Sequence, residues 1–211
     1  MATELQKVNF SEQLDQNPVF STVSRAAQKL GSETYVVGGF VRDLILNRPC
    51  KDLDFVCVGS GISLAEETGR MLGNTQITVF KNFGTAMIKH GEYELEFVGA
   101  RKESYQHDSR KPIVENGTLE DDQKRRDFTI NAMAISLNRE TFGQLIDPFD
   151  GIEFLKKKII KTPLDPAITF SDDPLRMMRA VRFASQLNFD IEADTYEAMV
   201  KFADRLKIVS M

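Results

Sequence analysis

Two aspartates, Asp52 and Asp54, stand in the run DLDFVCV, alternating with Leu53, Phe55 and Cys57. Residues two apart on a strand point to one face, so both carboxylates project together while the apolar set faces a core. Side by side they repel, and unless a cation lies between them one takes up a proton or both face water. A hard divalent cation such as Mg²⁺ suits oxygen ligands of this kind, with substrate phosphates completing its shell. Upstream, Tyr35, Val36 and Val37 end at Gly38-Gly39, as a strand does where backbone must approach something closely. Phe40 to Leu46 has helical composition, so the glycine pair opens a helix whose unpaired N–H groups can take a phosphate. Either feature alone is ordinary, a solvated strand end or a tight turn. Together they point to metal-assisted chemistry on a phosphate.

The flanking sequence supplies elements to hold this stretch. Residues 17–30 place Val19, Phe20, Val23, Ala26, Ala27 and Leu30 at helical spacing, closed by Gly31, as a helical support for the sheet. Gly59-Ser60-Gly61 precedes a helix predicted over 62–72, but Leu64 stands where a dinucleotide fingerprint needs its third glycine, and that reading is rejected. Three strands are predicted at 76–80, 85–89 and 93–98, joined as hairpins. On the last of these Glu94 and Glu96 share a face, and either could add a third carboxylate to Asp52 and Asp54. Residues 100–117 lack periodicity and read as a mobile loop; no role is expected of His90 or His107. A short acidic helix start at 119–122 leads to Arg125 and Arg126, which on a helix would point about 100° apart and could not serve one ligand equally. Strands at 133–137 and 144–146 and a turn at 147–151 complete a small, mixed, largely antiparallel sheet in an α/β fold.

From Ser171 the chain reads as helical, with Asp173 as N-cap and Pro174 at the first helical position. On the wheel Met177, Met178, Val181 and Ala184 form one side, predicted to pack, while Arg176, Arg179 and Arg182 line the other. Three guanidiniums on one arc repel unless carboxylates, phosphates or bases answer them. A further amphipathic helix is predicted over 191–208, with Tyr196, Met199, Val200, Phe202, Ala203 and Leu206.

A hydrophobic content of 42% and a charged content of 27% over 211 residues describe an ordinary globular chain. No apolar run approaches membrane-spanning length and residues 1–10 lack a signal-peptide core, so a cytoplasmic protein is expected, without a membrane partner. Cys50 and Cys57 are the only cysteines, which suggests neither a disulfide framework nor a zinc site. The net charge of −4 argues against wholesale wrapping of nucleic acid. Residues 151–211 carry ten Lys or Arg against nine Asp or Glu, so RNA contact is expected late in the chain.

The order of GGFVRD at 38–43, DLD at 52–54, RRDFTINAMA at 125–134 and DDPLRMMRAVRFA at 172–184 resembles the class II nucleotidyltransferases. That group holds the tRNA CCA-adding enzymes and bacterial poly(A) polymerases, within the DNA polymerase beta superfamily. The resemblance implies a polymerase-beta-like catalytic head over residues 1–150 and a helical neck over 151–211, cut short before a helical RNA-binding body. It implies two Mg²⁺ ions on Asp52 and Asp54, and favours Glu96 over Glu94 as the third carboxylate. Gly38, Gly39 and Arg42 would then serve the nucleotide phosphates, with bracing of Asp52 and Asp54 as a second role open to Arg42. Phosphate contact would fall to Arg126, with Asp127 orienting an arginine and Asn131 a backbone or sugar group. Asp173 and Arg176 would read the base of CTP or ATP, with Arg179 and Arg182 completing the site. A carboxylate accepting from an exocyclic amino group, beside an arginine donating to the adjoining ring acceptor, selects cytosine and adenine. Asp172 stands where the family usually has Glu. The implied activity is addition of C or A to the 3′ end of tRNA or another RNA; CCA, CC, A and poly(A) addition share these motifs. A non-catalytic nucleotide- or RNA-binding module is the alternative of another class, and the sequence is silent on oligomeric state.

Overall fold

A computed structural model of the chain describes residues 8–104 and 113–208. His107, Arg110, Lys111 and Pro112, all assigned to a loop from the sequence, lie outside the described residues. In chain order the elements are α1 (Ser11–Asp15), α2 (Pro18–Leu30), β1 (Thr34–Val37), α3 (Gly39–Ile45), β2 (Asp52–Cys57), α4 (Gly61–Met71), β3 (Ile77–Phe80), β4 (Thr85–His90) and β5 (Tyr93–Gly99). There follow β6 (Arg101–Ser104), β7 (Ile113–Asn116), α5 (Leu119–Lys124), β8 (Ala134–Ser136), β9 (Leu145–Ile146), α6 (Gly151–Lys157) and β10 (Ile159–Ile160). The last are α7 (Pro166–Asp172), α8 (Leu175–Leu187), β11 (Asp190–Ile191) and α9 (Ala193–Phe202), which runs into a 3₁₀ segment, Ala203–Ile208. They fall into two compact units, Met1–Ala100 with Met133–Ile146, and Arg101–Ala132 with Asp147–Met211.

The first unit is built on a seven-stranded sheet in the order β3-β4-β5-β2-β1-β8-β9. The β2–β5 pair is parallel and the others are antiparallel, giving the mixed, largely antiparallel sheet that the sequence predicts. Alternation decides its faces: Leu53, Phe55, Cys57, Leu95 and Phe97 are buried, and Asp52, Asp54, Glu94 and Glu96 take the other face. Phe20 of α2 meets Phe55 with ring centroids 6.1 Å apart, and Phe55 stacks on Phe97 at 5.1 Å. Helix α2 starts where Asn17 accepts from the Val19 amide and stops at Gly31 in the left-handed region. The second glycine run serves packing, since a Cβ at Gly61 would lie 2.6 Å from the Val98 backbone of β5. Both cysteines are free thiols, Cys57 in the core and Cys50 half-buried.

The second unit corrects three expectations. Residues 101–104 and 113–116, read as loop, form the antiparallel pair β6–β7, with Arg101 opposite Asn116. The pattern is too short and too polar to stand out as alternation. On α8, Met178 and Val181 are 53% and 51% exposed, and the packed arc is instead Arg176, Met177, Ala180 and Phe183. Arg176 can be buried there because its Nη2 donates to the Arg125 carbonyl at 2.6 Å. The amphipathic helix predicted to reach residue 208 ends at Phe202, and Tyr196 and Val200 point outward, while Met199, Phe202 and Leu206 pack on Phe170, Met177 and Ala198. The turn at 147–151 forms as expected and starts α6, with Asp147 accepting from the Gly151 and Ile152 amides.

Candidate active site

In the first unit the sheet register places the acidic residues. Strand β2 lies parallel to β5 with Asp52 opposite Glu94 and Asp54 opposite Glu96, while Val37 of β1 stands on the other side of Asp54. Neighbouring strands are about 4.8 Å apart, so Asp54 and Glu96 are lateral neighbours on a shared face. Asp52 is exposed and Asp54 and Glu96 are half-buried. Burial lifts the Cys50 thiol above its ordinary range, and the negative charges of Asp43, Asp52 and Asp54 add to that, against a backbone hydrogen bond from Asp52. The charges that reach Cys50 are thus those of a local negative field.

Beside this field the chain turns sharply. Gly38 has φ 74 and ψ −130, which only glycine adopts without strain, and it delivers β1 into α3. Arg42 is buried and bidentate on Asp43, with Nε to Oδ1 at 3.0 Å and Nη2 to Oδ2 at 2.8 Å. Asp43 therefore has a guanidinium partner of its own.

Hard oxygen donors two apart on one strand face fit a divalent cation that takes one or two protein carboxylates and fills its shell with water and phosphate oxygens. A cage made by the protein alone is a different matter. Among the described residues no group of three or more His, Cys, Asp or Glu is placed to hold a metal ion.

The second unit gathers arginines around buried acids. Asp122 is fully buried and accepts from both Arg125, through Oδ1, and Arg126, through Oδ2 at 3.1 and 2.9 Å. Both arginines reach this one carboxylate because they stand three and four residues after it at the end of α5, where Arg125 is the C-cap in the right-handed helical region. Burial alone would raise the Asp122 carboxyl, but the charges of Arg126 and Arg125, and their hydrogen bonds, hold it below the ordinary aspartate range. Arg125 also reaches Glu103 at 3.3 Å, and Arg101 meets the same carboxylate at 2.8 Å.

Asp127 accepts from the Phe128 amide at 2.8 Å, from Asn131 Nδ2 at 3.1 Å and from Arg179 Nε at 2.6 Å. It thus orients an arginine, as expected, and ties the 127–131 turn to α8. Asp173 accepts from the Leu175 amide at 3.1 Å and acts as the cap of α8, one residue ahead of the helix boundary. Arg179 and the exposed Arg182 lie over the Phe183 ring at 5.3 and 4.9 Å. Burial raises the Asp172 carboxyl, against the opposing charges of Arg176 and Arg205, and Glu103 adds to the rise.

Sequence reasoning missed Asp122. The spacing that could have found it is its position three and four residues before the two arginines, the reach of side-chain pairs along a helix.

Residues 34–161 match the poly(A) polymerase head domain. The chain is 46% identical over 175 residues to the A-adding tRNA nucleotidyltransferase of Aquifex aeolicus, covering 83% of this chain and 21% of that protein. It is 40% identical over 196 residues to the CCA-adding enzyme of Streptococcus gordonii, covering 92% and 46%. Among solved structures, an apo form of a CCA-adding enzyme matches with a TM-score of 0.85 at 34% identity, covering 93% of this chain and 47% of that one. A tRNA nucleotidyltransferase complexed with a primer tRNA and an incoming ATP analogue matches with a TM-score of 0.75 at 40% identity, covering 87% and 50%. The chain spans about half the length of these relatives, or less.

Proposed function

The chain belongs to the poly(A) polymerase head-domain family, with a DNA polymerase beta-like nucleotidyltransferase fold, and from that premise we propose that it adds C and A from CTP and ATP to the 3′ end of tRNA. The observation that carries this reading is the open sheet face on which Asp52 and Asp54 stand two apart, with Glu96 beside Asp54. We take residues 1–150 as the catalytic head and 151–211 as the neck, in a cytoplasmic protein; no helix among the described residues is long and apolar enough to cross a membrane.

Asp52 and Asp54 would hold divalent cations, taken here to be two Mg²⁺, which when bound would lower the pKa of the RNA 3′-hydroxyl and neutralise triphosphate charge for in-line attack at the α-phosphorus. Glu96 is the candidate third carboxylate. Backbone N–H groups at Gly38 and Gly39 would donate to phosphate oxygens, with Arg42 fixing the turn from behind through Asp43. Arg126 would bind the triphosphate.

The base is read on α8. The Asp173 carboxylate would accept from the exocyclic amino group of cytosine or adenine, and Arg176 would donate to the ring nitrogen next to it. Uracil and guanine present the opposite pattern at those positions. Holding Arg176 through the Arg125 carbonyl orders the guanidinium before a base arrives. Arg179, set by Asp127, and Arg182 would complete the nucleotide contacts.

The test is incorporation of labelled nucleotides onto a tRNA transcript lacking its terminal CCA, with Mg²⁺. Transfer of C followed by A is expected, with none from UTP or GTP. A alone is the second outcome to watch, favoured by the resemblance to the Aquifex A-adding enzyme; extended A tails would make the protein a poly(A) polymerase. CTP and ATP binding with no transfer would make the chain a binding module and overturn the proposal.

A further inference from the structure

Asp122 is 0% exposed, yet its two oxygens are divided between successive arginines. The arginines are not equivalent. Arg125 has its Nε and Nη2 on Asp122 and its Nη1 on Glu103, which is itself 3% exposed, so carboxylates answer both ends of its guanidinium. Among the described contacts Arg126 meets a carboxylate along its Nε–Nη2 edge, while its Nη1 donates to the Asn131 carbonyl at 3.4 Å; its side chain is 16% exposed, close to the 18% of Arg125. A guanidinium has five N–H groups in a planar fork, so an arginine held from the side still offers its terminal edge, the one that grips a phosphate through two parallel bonds.

We propose that Asp122 is a positioning residue that holds Arg126 so that the terminal edge of its guanidinium meets the triphosphate of an incoming nucleotide already ordered. This rests on the reading that the chain binds nucleoside triphosphates. Ordering a long side chain before binding removes part of the entropy lost on binding, so Asp122 should act on affinity more than on the chemical step.

The experiment is a double-mutant cycle of Asp122→Asn and Arg126→Gln, read as calorimetric affinity for inorganic tripolyphosphate and for CTP and ATP, with kcat and KM for each nucleotide. Asp122→Asn should weaken tripolyphosphate on the order of tenfold, the scale on which losing a supporting partner loosens a bound group. CTP and ATP should weaken alike, with the change in KM rather than kcat. In the Arg126→Gln background the same substitution should change affinity less than about twofold, since the two act as one unit. Equal weakening in both backgrounds, or unchanged binding by a folded Asp122→Asn protein, would overturn the role of Asp122. Where Asp122→Asn does not unfold cooperatively, Asp122→Glu, which keeps the charge and moves it by one methylene, goes through the same cycle, with a several-fold loss expected that Arg126→Gln removes; an equal loss in both backgrounds overturns the role. A wild-type protein that binds neither tripolyphosphate nor any nucleoside triphosphate would instead overturn the nucleotide-binding reading beneath it.

Discussion

The two units use the same residue type in opposite ways. On the first, Asp52 and Asp54 stand on an open strand face, and the negative field they share with Asp43 reaches Cys50. On the second, Asp122 and Asp127 are buried and already have their cations, in Arg125, Arg126 and Arg179. An acid set on a strand face where phosphate and metal can approach serves turnover, whereas an acid sealed against guanidiniums serves order. Substitution should separate the two.

The largest effect is expected from Asp54→Asn on the first unit. Turnover should fall on the order of a thousandfold or more, with a smaller loss of unfolding temperature than removal of the fully buried Asp122 carboxylate causes, because Asn keeps the size and polarity of a half-buried side chain. Substantial residual incorporation in the labelled-nucleotide assay would break the comparison on that side.

On the second unit Asp122→Ala should do the reverse first, and destabilise. Leaving two half-buried guanidiniums without the fully buried carboxylate they share costs roughly 3 kcal/mol, or about 6–12 °C for a chain of this size, checked by denaturant and thermal unfolding. An unfolding temperature unchanged by Asp122→Ala would show that the two regions do not differ in this way.

The same acid sharpens the comparison in pH. The folded Asp122 carboxyl sits below its ordinary value, so its stabilisation is fully present above the unfolded pKa of about 3.9 and is lost as pH falls through the lower folded value. Stability measured from pH 6 to pH 2 should therefore fall less steeply on the acid side in Asp122→Asn than in the wild type.

Much of the first unit was legible because period-2 alternation is unambiguous where one face is buried: the 76–98 hairpins and the acidic face of β2 follow from Leu53, Phe55, Leu95 and Phe97 alone. The second unit was legible in its motifs but not in its contacts. The face of α8 was misassigned because nothing local to Arg176 says that the carbonyl of Arg125 will take its Nη2 and allow it to be buried in place of Met178. The grip of Asp122 was hidden because nothing local says which of the acids at 120–122 is the buried one, although Arg125 and Arg126 follow it at helical spacing. Charge networks closed over long sequence separations leave only the spacing of their members in the sequence.

The smallest effect concerns Asp172. Burial raises its carboxyl, so the folded state favours the protonated form and loses stability as pH rises through the raised folded value. Asp172→Asn should slightly raise the unfolding temperature at neutral pH, with the gain vanishing below the ordinary aspartate pKa; a loss at neutral pH would mean that pairing with Arg176 and Arg205 outweighs burial.

The central claim, that this chain selects CTP and ATP through its own residues, is tested most directly by thermal unfolding with Mg²⁺ and each of the four nucleoside triphosphates in turn. At about ten times the dissociation constant, binding adds roughly 1.4 kcal/mol, a shift of a few degrees. The account predicts that shift with CTP and ATP and none with UTP or GTP, whereas equal shifts with all four, or none with any, would contradict it.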